Sequence, residues 1–170
     1  MNVLVTGAKG MVGTALCNNL KNIRDGKNKT RSEIAIEEIY EYDLGSTAEE
    51  LDEYCQKSDF IFNLAGVNRP ENPEDFMKGN FGFASALLDC LKKHNNKATI
   101  MLSSSIQATL SGRFGNSEYG RSKKAGEELL CKGSIVYGDI NDHGCVIRFS
   151  IVSLYWVKIY NYLHWNDCSN

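Results

Sequence analysis

The first two dozen residues constrain this chain most, because a short apolar run there meets three closely spaced glycines and then a helical stripe. Val3-Leu4-Val5 reads as a buried strand and Gly7-Ala8-Lys9-Gly10-Met11-Val12-Gly13 follows at once. Val12, Ala15, Leu16, Leu20 and Ile23 then recur at three- and four-residue steps, placing one apolar face against whatever the strand belongs to. A strand, a glycine turn and an amphipathic helix in that order open a β-α-β unit. They also bring the free backbone N–H groups of a helix N-terminus to a turn without side chains, an arrangement suited to an anion such as a pyrophosphate.

The alternation continues along the chain. Ile36 to Asp43 reads as a second strand whose acidic alternation suggests a partly exposed edge. Ser46 and Thr47, each with a glutamate three residues on, form overlapping capping boxes ahead of Leu51, Tyr54 and Cys55. Phe60 to Ala65 is a nearly continuous apolar run, as expected of a strand covered on both faces. Pro70 and Pro73 punctuate a loop, and Phe83, Leu87, Cys90 and Leu91 mark a helix. Thr99 to Leu102 is the next strand, Tyr119 to about Cys131 the next helix, and Cys145 to Phe149 the last strand. Gly133 either ends that helix or sits inside a longer one. The expected class is α/β: a doubly wound parallel sheet with helices on both faces.

Composition narrows the function. The 170 residues carry 24% charged side chains and a formal charge of −2, so no basic surplus marks a nucleic-acid partner. No apolar stretch approaches the roughly 20 residues of a membrane span, and the opening strand leaves no room for a signal peptide, so a cytoplasmic protein is expected. Six separated cysteines without a CxxC pair, and three histidines without partners at ligand spacing, give no metal site. The cysteines read as reduced, mostly buried small hydrophobes.

Two further clusters carry chemistry. Tyr119-Gly120-Arg121-Ser122-Lys123 puts a tyrosine and a lysine on one helix face, where an ammonium is expected to lower the phenol pKa and make it a usable proton donor. Ser103-Ser104-Ser105 ends a strand, where ligands bind in an open α/β sheet. Asp43, ending the second strand, is placed to bind the ribose hydroxyls of NAD and repel the extra phosphate of NADP. Glu127-Glu128 reads as a solvated helix face.

In this order, the glycine turn, the serine run and the YxxxK pair resemble the extended short-chain dehydrogenase/reductases, also called the NAD-dependent epimerase/dehydratase family, which have a Rossmann-type fold. The resemblance implies a cofactor site of Gly7, Lys9, Gly10, Met11, Val12, Gly13, Asp43, Leu64, Ala65, Gly66 and Asn80, with Tyr119 and Lys123 also touching the cofactor. It implies catalysis by Ser105, Tyr119 as acid/base and Lys123 as its electrostatic partner, with Ser103 or Ser104 as alternatives to Ser105. Leu64-Ala65-Gly66-Val67-Asn68-Arg69-Pro70 and Leu102 to Ala108 carry a narrower likeness, to the reductase domain of bifunctional bacterial capsular-polysaccharide reductases. That likeness implies reduction of the C4 ketone of a UDP-linked deoxy-acetamido sugar with NADPH. In related enzymes a basic residue at the position of Lys9 meets the 2′-phosphate, so NADP(H) is favoured, with NAD(H) possible and Asp43 free to contact adenine. A homo-oligomer is possible. The segment 112–118 is longer than the family's link before the tyrosine. The likeness ends near Phe149, giving an expected cofactor domain over residues 1–149. Residues 150–170 form an atypical aromatic tail, read either as a helix covering the sheet or as the mark of truncation or an altered frame, with most of the substrate-binding domain absent.

Overall fold

A computed structural model describes residues 1–30, 33–111, 115–136 and 147–150. It contains five strands, β1 (Val3–Thr6), β2 (Ile39–Tyr42), β3 (Phe60–Asn63), β4 (Thr99–Ser104) and β5 (Ile147–Ser150). All pair in parallel in the order β2-β1-β3-β4-β5. β2 stands at one end of this order, as its charge pattern indicates, but it is shorter than the sequence suggests. Ile36 is buried without belonging to it. The start of the last expected strand, Cys145-Val146, and the aromatic tail from Ile151 lie outside the described residues.

Alternation within β1 divides the core between the two faces of the sheet. Val3 and Val5 pack with Cys17 and Leu20 of helix α1 (Met11–Arg24). Leu4 faces the other way, against Leu51 and Cys55 of α2 (Ala48–Lys57), Leu87, Leu88 and Leu91 of α4 (Phe83–Lys93) and Leu130 of α5 (Glu118–Val136). Helices on both faces of a parallel sheet make this a Rossmann-type fold. Of the two capping boxes available before α2, the chain uses the second. Thr47 Oγ1 accepts from the Glu50 N–H and the Glu50 carboxylate accepts from the Thr47 N–H. Ser46 is left to accept from the Asp43 N–H.

The helix marked by Phe83, Leu87, Cys90 and Leu91 is present as α4, and helical backbone starts well ahead of it: α3 (Glu74–Phe76) runs into a π-helical segment, Met77–Gly82, and then into α4, all right-handed. Gly133 lies inside α5, which continues past Cys131. Cys17 and Cys55 are buried free thiols, Cys90 is half-buried and Cys131 is exposed.

Candidate active site

Strand order determines where a ligand can sit. The chain leaves β1 toward β2 and returns past β1 to build β3, so the loops after β1 and β3 diverge and open a crevice at the carboxyl ends of the strands. A crevice of roughly 580 Å³ lies there, lined on one side by Gly7, Gly10, Met11, Val12 and Gly13 and on the other by Leu64, Ala65, Gly66, Val67 and Asn68. Tyr42, Asp43, Leu44 and Ser46 close the β2 end; Gly79, Phe83 and Ser103 also line it. Gly7 has φ +69°, and Gly10, the residue before α1, provides no side-chain cap. The helix start is therefore left to be satisfied by whatever enters the crevice.

Both oxygens of Asp43 are engaged. One accepts from the Lys9 N–H at 2.7 Å and the other from the Leu44 N–H at 2.8 Å. This carboxylate thus ties the glycine turn to the loop after β2. Lys9 is exposed, and its ammonium lies 3.8 Å from where a Gly45 Cβ would stand, over that same loop.

The catalytic candidates gather at the other end. Ser105 starts the 3-10 turn Ile106–Thr109, and its side chain hydrogen-bonds the Tyr119 phenol. Ser103 lines the crevice and its carbonyl accepts from Lys123 Nζ at 3.1 Å, while the Ser104 hydroxyl is sealed in the interior without a hydrogen-bond partner among the described residues. Of the three serines, Ser105 is the one bonded to Tyr119. Lys123 is 5% exposed, with Nζ 5.8 Å from the Tyr119 ring centre and 2.8 Å from the position of a Gly66 Cβ. It occupies the space that glycine leaves behind the crevice wall; Lys123, Tyr119 and Ser105 are not themselves among the lining residues.

The electrostatics differ from the expectation. Burial pushes the Tyr119 phenol above its ordinary value and the Ser105 hydrogen bond only partly offsets this. The larger perturbation falls on the lysine. Burial lowers the Lys123 pKa to about 8, against an opposing pull from the Glu127 carboxylate one helical turn on. Glu127 is itself 5% exposed, so the reading of Glu127-Glu128 as a solvated face holds only for Glu128.

Asn80 sits in the π-helical segment, 8% exposed and outside the crevice lining. Its oxygen accepts from the Val67 N–H, and its amide donates to the Val67 carbonyl and to Ser122 Oγ, which in turn donates to the Tyr119 carbonyl. It therefore braces the lining loop against α5. Ser122 was not expected at the site, nor was Thr6, which donates to Asn63 Oδ1 and accepts from the Ala65 N–H. Neither was Phe76, whose ring centre is 5.6 Å from that of Tyr119. Ser122 lies within the YxxxK pattern, so its spacing was visible, whereas the other partners come from distant parts of the chain. Among the described residues no cluster fits a metal ion, and no helix is long and apolar enough to cross a membrane.

Residues 3–138 match the NAD dependent epimerase/dehydratase family. The chain belongs to that family. The resemblance read from its motifs is borne out. A UDP-2-acetamido-2,6-β-L-arabino-hexul-4-ose reductase of Pseudomonas aeruginosa is 40% identical over 130 residues, 76% of this chain and 31% of that protein. The structure of the capsular polysaccharide assembling protein CapF of Staphylococcus aureus matches with 37% identity and a TM-score of 0.63, over 88% of this chain and 35% of that one. UDP-glucose 4-epimerase of Brucella ovis, solved with NAD, shares the fold at 20% identity and a TM-score of 0.60, over 81% of this chain and 49% of its own. The chain thus spans about a third of the length of the first two relatives.

Proposed function

We propose that residues 1–149 form the cofactor-binding domain of an oxidoreductase that reduces the C4 ketone of a UDP-linked deoxy-acetamido sugar, with NADP(H) preferred over NAD(H). The observation that carries this reading is the meeting of Ser105, Tyr119 and Lys123 beside the Gly66 edge of a crevice whose far side is the glycine turn. Gly7 to Gly13 and the start of α1 suit a pyrophosphate, and a bound nicotinamide would supply the hydride. The Tyr119 phenol, protonated at neutral pH, is the group in this cluster suited to donating a proton to the ketone oxygen in the reducing direction. Ser105 hydrogen-bonds the same oxygen, and Lys123, when charged, stabilises the phenolate left on Tyr119. A capsular or surface-polysaccharide role rests on the likeness to CapF, a capsular polysaccharide assembling protein, and the sugar on the likeness to the Pseudomonas aeruginosa reductase.

The preference for NADP(H) rests on the β2 end. Two backbone N–H groups already balance the Asp43 carboxylate, while the exposed Lys9 ammonium stands over the loop that would face the adenosine ribose. Lys9→Ala is expected to weaken NADPH binding about tenfold, or ~1.4 kcal/mol, with NADH binding unchanged. The reduction itself is tested by NADPH consumption with a UDP-4-keto-sugar. Tyr119→Phe is expected to lower turnover at least ~100-fold while NADPH still binds by calorimetry, and wild-type turnover in that variant would remove Tyr119 from the chemistry.

A further inference from the structure

Tyr119 is the second residue of α5, in the turn of a helix where backbone N–H groups lack partners within the helix. Ser117, just before α5, supplies the cap: its hydroxyl accepts from the Gly120 N–H at 2.9 Å. The same hydroxyl donates its proton to the side-chain oxygen of Gln107 at 2.7 Å. Gln107 belongs to the 3-10 turn that follows Ser105, and its own N–H donates to Ser105 Oγ at 3.2 Å. A Cβ on Gly120 would stand 2.6 Å from the Gln107 carbonyl, so only glycine lets helix and turn approach this closely. One continuous set of hydrogen bonds therefore runs from the hydroxyl of Ser105 to the first turn of the helix carrying Tyr119. Its central member, Ser117, belongs to the stretch 112–118 whose length departs from the family's link.

We propose that Gln107 and Ser117 are positioning residues which clamp the turn bearing Ser105 to the start of α5, and so hold the Tyr119 phenol against the Ser105 hydroxyl. The proposal rests on the reading of Tyr119 as the proton donor, but its test follows Tyr119 itself and needs no turnover, so a chain inactive on sugars would still be informative. The full chain is labelled with tyrosine carrying ¹³C at the ring carbon bonded to oxygen, and the Tyr119 resonance is assigned by its loss in Tyr119→Phe. Its titration is then followed in wild type, Gln107→Leu, Ser117→Ala and Ser117→Thr. The Ser105 hydroxyl lowers the Tyr119 pKa within surroundings that raise it, so a phenol no longer held against that hydroxyl is expected to titrate higher still, by about half a unit or more. Gln107→Leu and Ser117→Ala should both show that rise, and Ser117→Thr, which keeps the hydroxyl, should titrate like wild type. An unchanged or lower midpoint in Gln107→Leu overturns the proposal, whether or not Ser117→Ala shifts, because the role of Ser117 would then be helix capping alone. A rise in Ser117→Thr as large as in Ser117→Ala also overturns it.

Discussion

Lys123 has a cost that follows from its place. A lysine whose folded pKa is about 8 instead of the usual 10.5 is held in surroundings that disfavour its charge, and below pH 8 it is charged in both the folded and unfolded chain. The shift of about 2.5 units then amounts to roughly 3 kcal/mol of destabilisation. Between pH 8 and 10.5 the unfolded chain binds more protons than the folded one, so this penalty fades as pH rises. Lys123→Met should therefore be more stable than wild type at pH 7 by about 1–3 kcal/mol, with the gap closing toward pH 10. Paired urea unfolding curves measure it, and comparing the two proteins cancels the buried thiols Cys17 and Cys55, whose raised pKa values, about 11 and about 12, act in the opposite direction. A gap that stays constant with pH would mean that Lys123 is not strained. The Tyr–Lys pairing could be read from spacing alone, because four residues along a helix fix a shared face. The direction of their pKa shifts could not, since it is set by burial, among residues such as Phe76 and Gly66 that gather only in the folded chain. The choice of Ser105 among three adjacent serines likewise required the turn that aims each hydroxyl.

Among the elements, β1, α1 and the turn between them were legible because their signal is local. Alternation, glycine spacing and helical period all fall within residues 3–24. The π-helical segment Met77–Gly82 was not legible, because it places Asn80 to reach Val67 and Ser122, partners that the local sequence does not reveal. The three glycines of the turn are also not equivalent. A Cβ on Gly13 would run into the Gly7 carbonyl and come within 2.8 Å of the Ala8 backbone, neither of which can move without parting α1 from β1. On Gly10 it would meet only the Gly7 carbonyl, at 3.2 Å, while projecting into the crevice end of the turn. Gly13→Ala should therefore destabilise the fold by more than the ~1–3 kcal/mol usual for overpacking. Gly10→Ala should melt within a few degrees of wild type and yet bind NADPH at least tenfold more weakly. Thermal melts beside calorimetry separate the two, and full NADPH affinity in a folded Gly10→Ala protein would put the pyrophosphate elsewhere.

For the whole molecule, cofactor binding and sugar turnover are expected to separate. Both walls of the crevice, the loops after β1 and β3, come from the first 68 residues, and α5 brings Tyr119 and Lys123 to its edge, so the elements proposed to hold the dinucleotide lie within the described chain. On the side where a sugar would meet Tyr119 the surface is open: Ile106 and Leu110, flanking the turn after Ser105, are 54% and 43% exposed. The Pseudomonas aeruginosa UDP-sugar reductase and CapF are about three times as long as the part matched here. A substrate held loosely forfeits much of the advantage of orientation, which is worth up to roughly 7–11 kcal/mol when a reacting carbon is fixed at attack distance. The 170 residues alone should therefore bind NADPH and reduce a UDP-4-keto-sugar at least ~1,000-fold more slowly than the same residues joined to the remaining length of such a relative. Because the loss lies in positioning the sugar, NADPH affinity should differ by less than about threefold between the two proteins. Equal turnover would mean that the sugar is gripped by these residues themselves, with Ile106 and Leu110 the first side chains to replace in locating its site.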